Sequence, residues 1–105
     1  MVSPTIAMPV GASQLTFRHL FNVENGFDGG VLEIAIGAGS FQDILIAGGS
    51  FMAGGYTGGL SSNFGNPIAG RQAWTGNSGA YVTTIVNMPA AAAGQSVRLR
   101  WRMTS

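Results

Sequence analysis

The sequence predicts an all-β fold, an antiparallel β-sandwich, and three observations predict it. Several segments alternate apolar and polar residues with a period of two, as half-buried strands do. The stretches between them are rich in Gly, Asn and Asp, which supply turn chemistry. No capped stretch long enough for a stable helix shows a 3.6-residue period. The chain has 105 residues, a length that suits one domain spanning residues 1–105.

The first predicted strand runs from Gln14 to Val23. Leu15, Phe17, His19, Phe21 and Val23 share one parity, and Gln14, Thr16, Arg18 and Asn22 share the other. Asn25-Gly26 and Asp28-Gly29-Gly30 form the turn that follows. Val31 to Ile36 is the next strand, with Leu32, Ile34 and Ile36 on one face and Glu33 on the other. Gly37 to Ser40 makes a tight connection into a further strand over Phe41 to Ala47, giving a hairpin. Gly48 to Gly70 is glycine-rich and aperiodic, a long excursion with short strands around Phe51 and Leu60. Gln72 to Trp74 reads as a short strand and Tyr81 to Met88 as a longer one rich in β-branched residues. Pro89 and the alanines after it form a loop or a single helical turn. Ser96 to Thr104 alternates most cleanly: Val97, Leu99, Trp101 and Met103 point one way, Arg98, Arg100 and Arg102 the other.

Composition narrows the function classes. Apolar residues make up 46% of the chain, too many for a disordered segment. Charged residues make up 9% and the formal charge is +1, so no strong field steers anionic polymers toward the chain, and nucleic acid is not an expected partner. Cys is absent, which removes disulfides and thiolate zinc sites. Lys is absent too, so the glycines match no phosphate-cradling Gly-x-x-x-x-Gly-Lys pattern. No apolar run approaches the ~20 residues of a membrane-spanning helix.

Four segments together resemble a known family: Leu15-Thr16-Phe17-Arg18-His19, Glu24 to Ile34, Gly70-Arg71-Gln72-Ala73-Trp74-Thr75-Gly76, and Val97 to Arg102. They resemble a jelly-roll-like accessory domain of secreted bacterial proteins. Such domains accompany immune inhibitor A type metallopeptidases, subtilisin-like proteases and anchored surface proteins, and are similar in plan to MAM-type and cleaved-adhesin sandwiches. The resemblance implies a jelly-roll-like sandwich and a secreted or cell-surface location in bacteria. It also implies a loop and a closing strand after the Arg-Trp-Arg segment, whereas this chain stops at Ser105. An open sheet edge is the expected result, and with it a homo-oligomer formed by edge pairing or strand exchange.

The candidate sites follow. All four carboxylates, Glu24, Asp28, Glu33 and Asp43, lie in one short stretch. Calcium takes several oxygen ligands, and related sandwiches often carry it, so Glu24, Asp28 and Asp43 are the candidate calcium ligands; the alternative is that they are turn-forming, solvated acids. Glu33, facing out from a strand, is expected to meet an Arg across the sheet. Arg98, Arg100 and Arg102 form a row spaced about 6.6 Å apart, read as a solvated face rather than a polymer-binding one. Tyr56 and Trp74 sit in or near glycine-rich loops where exposed rings suit sugar stacking. With Arg71 and Asn77 they form the candidate ligand-binding set, and Asn63, Asn66 and Gln72 are further polar partners; plugging one end of the sandwich is the competing reading for Trp74. His19, the sole histidine, lies on an apolar face and is expected to be a packed, hydrogen-bonded core residue, since no nucleophile elbow accompanies it.

The function these features imply is a non-catalytic accessory module of an exported multidomain protein, serving domain docking or surface attachment. Its rivals are a calcium-dependent carbohydrate-binding module and a self-associating structural fragment.

Overall fold

Strict alternation in Ser96–Thr104 produces the longest strand of the molecule, and the rest of the fold is arranged around it. The computed structural model describes residues 1–61 and 70–104. Among the described residues nine strands occur in chain order: β1 Ile6–Ala7, β2 Gln14–His19, β3 Gly29–Ile36, β4 Gln42–Asp43, β5 Ser50–Ala53, β6 Gly58–Gly59, β7 Gln72–Ala73, β8 Val82–Asn87 and β9 Ser96–Thr104. A single 3-10 turn at Ala90–Ala92 precedes β9. One sheet has the order β1-β9-β3-β4, a second the order β2-β8-β5, and β6 and β7 form a separate ribbon. All pairings are antiparallel. Among the described residues no helix is long and apolar enough to cross a membrane.

The two larger sheets face each other across one apolar core. Leu32 and Ile34 of β3 and Val97 and Leu99 of β9 meet Val86 of β8, with Leu15, Phe17 and Phe51 packed against them. The parity read from β2 and β9 is the one that faces the core, with Val97 and Leu99 buried and Leu15, Phe17 and Trp101 half-buried, but Met103 at the end of β9 is exposed against expectation. The all-β antiparallel sandwich stands as predicted.

Three segments differ from the expectation. The strand expected over Phe41–Ala47 is only Gln42–Asp43. Asp43 turns the chain: its Oδ1 accepts from the Leu45 N–H at 2.9 Å and its carbonyl from the Ala47 N–H at 3.0 Å. Ile44 points inward and is fully buried, while Leu45 and Ile46 are left on the surface. The strand expected over Gln14–Val23 ends at His19, where Leu20 turns outward and Phe21 joins Ser78 instead, donating its N–H to the Ser78 hydroxyl at 3.1 Å. The third difference is β3, whose residues are buried on both faces rather than one. The ribbon supplies the second cover: Leu60 and Ala73 pack on Val31. The edge of β3 is completed by Gly30 and Trp74, which exchange backbone hydrogen bonds at 3.0 and 2.9 Å.

Candidate functional site

The outer face of the β4-β3-β9 sheet gathers most of the charge in the molecule. Register places Glu33 opposite Asp43 on one side and opposite Arg100 on the other. The β3–β4 bonds run through Leu32 and Ile44, so Glu33 and Asp43 form the close, non-hydrogen-bonded kind of pair. Two carboxylates so placed repel each other. Arg71, entering β7 from above, resolves this: its Nη1 donates to Glu33 Oε2 at 2.9 Å and its Nη2 to Asp43 Oδ2 at 2.9 Å. Arg100 closes the other side, with Nε and Nη2 both 2.7 Å from Glu33 Oε1. Its guanidinium, with that of Arg98, also lies over the Phe41 ring, at 4.4 and 5.1 Å from the centroid.

Glu33 is 3% exposed. Burial alone would raise its pKa, but the hydrogen bonds and charges of Arg71 and Arg100 outweigh that and hold the carboxyl below its ordinary value. Burial likewise opposes the charge on Arg71, and Asp43 and Glu33 more than compensate, so its pKa is raised. Sequence reasoning placed Glu33 against an Arg across the sheet, which is what the structure shows, but it left Glu33 on a wet face. The ribbon that buries it has no periodic signature.

Tyr56 ties this cluster to the core. Its hydroxyl donates to Asp43 Oδ2 at 3.0 Å and accepts from the Leu32 N–H at 2.9 Å, filling the gap on the β3 edge between β4 and Trp74. Burial first, and then Asp43, push the phenol above its ordinary pKa. Its ring packs edge-on against Trp74 at 4.8 Å and Phe51 at 4.8 Å. Together Asp43, Leu45, Ile46, Tyr56, Arg71 and Gln72 line an open depression of about 160 Å³.

Of the candidate ligand-binding residues, Arg71 and Tyr56 meet in this depression. Trp74 does not reach the surface: it is 3% exposed, with its Nε1 donating to the Gly54 carbonyl at 3.0 Å. Its size and donor are both satisfied inside, so the reading of Trp74 as an exposed stacking platform is replaced by a core role. Asn77 lies elsewhere, its Oδ1 accepting from the Gly79 N–H at 2.8 Å in a turn. Asn63 and Asn66 lie outside the described residues.

The candidate calcium ligands are not gathered together: among the described residues no group of three or more His, Cys, Asp or Glu side chains converges. Asp43 is engaged by Arg71, Tyr56 and Leu45. Glu24 and Asp28 shape the turn before β3, where the Glu24 carbonyl accepts from the Asp28 N–H at 3.0 Å and the Asp28 carbonyl from the Thr75 hydroxyl at 2.6 Å.

His19 sits among aromatic rings, 4.7 Å from Trp74 and 5.0 Å from Phe17. The Thr84 hydroxyl spends its one proton on the Gly54 carbonyl at 2.8 Å. It therefore accepts from His19 Nε2 at 2.8 Å, which assigns the proton to Nε2. Burial lowers the His19 pKa, favouring this neutral form.

Comparison of the chain with protein families, curated proteins and solved structures gave no match. Three of the segments singled out in the sequence are neighbours in the structure. Glu24–Ile34 contains β3, which pairs with β9 over Val97–Arg102. The Gly70–Gly76 segment supplies both Arg71 and the Trp74 bridge to Gly30.

Proposed function

We propose that the chain is a non-catalytic binding module, of the kind carried by exported bacterial multidomain proteins, and that it docks a neighbouring polypeptide through the Arg71 depression. The observation that carries this reading is the make-up of that depression. Its base is a preset cluster of Arg71, Asp43 and Tyr56, and its rim is apolar and open, with Leu45 41% and Ile46 78% exposed. Its volume of about 160 Å³ falls below the roughly 300–1,000 Å³ of pockets that enclose a free small ligand. A space of that size takes one protruding side chain from a protein loop. The occupant fitting both features is a loop of an adjacent domain that inserts an apolar side chain against Leu45 and Ile46 and lays polar backbone on Arg71.

The chemistry of the remaining polar groups supports a binding role. Glu33 and Asp43 are bridged by arginine, and burial favours the neutral form of His19, whose Nε2–H is taken up by the Thr84 hydroxyl. A calcium-dependent lectin, the rival, would draw on Trp74 as a stacking ring, and that ring is buried.

Hydrogen exchange measured on the isolated chain and on the same chain within its parent protein tests the proposal. Added protection at the amides of Leu45, Ile46 and Gln72 in the parent, removed by Ile46→Asp, is expected. Equal exchange in both contexts overturns docking at this surface. A glycan array run with and without chelator is expected to show no bound glycan; chelator-sensitive binding would establish the lectin instead.

A further inference from the structure

Of the four edges of the two larger sheets among the described residues, three are blunted. β1 and β4 have two residues each, and β5 has four with a register shift between Phe51 and Ala53. Shortness and bulges are the usual devices that keep an edge from pairing. β2 has neither. It is a regular six-residue strand that, among the described residues, pairs with β8 alone, in unbroken register from Gln14 opposite Asn87 to His19 opposite Val82.

The hydrogen-bond phase of this edge can be read. The Ser13 carbonyl accepts from the Met88 N–H at 3.0 Å, and Ser13 and Met88 lie on the same register diagonal as the β2–β8 pairs. Bonding phase alternates along an antiparallel ladder. Leu15, Phe17 and His19 therefore address β8, and Gln14, Thr16 and Arg18 aim their N–H and C=O groups away from it.

We propose that this edge associates with a second copy of the chain, the two β2 strands pairing antiparallel about a two-fold axis at Thr16. Three features select that partner and that register. Centred on Thr16, the outward N–H and C=O groups of Gln14, Thr16 and Arg18 in both copies all find partners; centring one residue away on Phe17 would leave Gln14 unmatched. Each Arg18 then faces a neutral Gln14, whereas a register centred on Arg18 would set two like charges opposite each other. On the inner face Leu15 meets Phe17 of the second copy, and both are only half-buried in the monomer. The result is one continuous sheet through both copies. An edge contact of this kind buries less than the ~1,200 Å² of stable complexes, so association is weak and reversible. This inference is independent of the Arg71 depression, which lies on the other sheet.

Sedimentation equilibrium from micromolar to millimolar concentration is the test, with circular dichroism to confirm folding. The unaltered chain is expected to show a monomer–dimer equilibrium. Thr16→Pro deletes an N–H that the β2–β8 ladder does not use, so it is expected to fold and to weaken the dimer by about tenfold or more. Gln14→Glu, facing Arg18, is expected to tighten the dimer about fivefold, and Gln14→Arg to weaken it about fivefold. A strict monomer at all concentrations overturns the proposal. So does a dimer indifferent to both Gln14 substitutions. If Thr16→Pro loses its β signal, the opposed shifts of the Gln14 pair decide the matter alone.

Discussion

Replacing Glu33 by Gln tests whether the charge cluster under the β6–β7 ribbon holds the ribbon down. Glu33 accepts from Arg71 at 2.9 Å and from Arg100 at 2.7 Å while almost wholly buried. A hydrogen bond to a charged group contributes about 1.5–3 kcal/mol. The two arginines are not trapped, however: their side chains are 29% and 31% exposed and can turn to water once released. Gln also keeps one acceptor, and losing the Glu33 charge relieves its repulsion with Asp43. We therefore expect a loss of about 2–3 kcal/mol, less than the ~3–5 kcal/mol of a fully buried broken pair. At roughly 2.1 cal/mol/K per residue of unfolding entropy, this lowers Tm by about 10 °C. Thermal unfolding near neutral pH reads it directly, and a double-mutant cycle with Arg100→Gln isolates the pairwise part. The pH dependence adds a second readout. The Glu33 pKa is lower in the folded chain than its ordinary 4.5, so the unfolded chain binds more protons in that range. The contribution is complete above 4.5 and fades as pH falls below it. Glu33→Gln should lack that step. A Tm within about 2 °C of the parent, or an unchanged acid step, would refute the assignment.

Two further outcomes follow from the aromatic side of the core. Gly54→Ala is expected to cost about 2 kcal/mol or more, because Gly54 has φ +64° and an added Cβ would meet the Thr83 carbonyl and, at 2.8 Å, Thr84 Oγ1. Gly79→Ala is the control, with φ +74° but open space around it; strain alone should cost it about 1 kcal/mol. Denaturant unfolding followed by tryptophan fluorescence compares the two. Since the His19 pKa is lowered from 6.5 in the folded chain, stability is expected to be full above 6.5 and to decline as pH falls below it. That decline should be absent in His19→Gln; a pH profile identical to the parent's would remove His19 from the account.

Much of the sandwich is legible in the sequence because period-two burial is local. The span Ser96–Thr104, the β-branched run that forms β8, and the turn before β3 each announce themselves within a few residues, as does the core parity of Leu15, Phe17, Val97 and Leu99. A single periodic pattern, however, reports one buried face only. That is why Glu33 reads as an outward residue: nothing near it in the chain says that Leu60, Arg71 and Ala73 will cover its side of the sheet. The same limit applies to Phe41–Ala47, where an apolar run looks like a strand until the Asp43 side chain captures the Leu45 N–H.

What the sequence by itself determined is the class of fold, the alternation that chooses each strand's inner face, and the pairing of Glu33 with an arginine. Tertiary structure alone decided which arginines those are, that Tyr56 and Arg71 share a depression while Trp74 does not, and which edge stays open. The reason is distance along the chain. Glu33 and Arg100 are 67 residues apart, and Glu33 and Arg71 are 38. Contacts of that span are set by sheet order and register, and those are properties of the assembled sandwich rather than of any one segment.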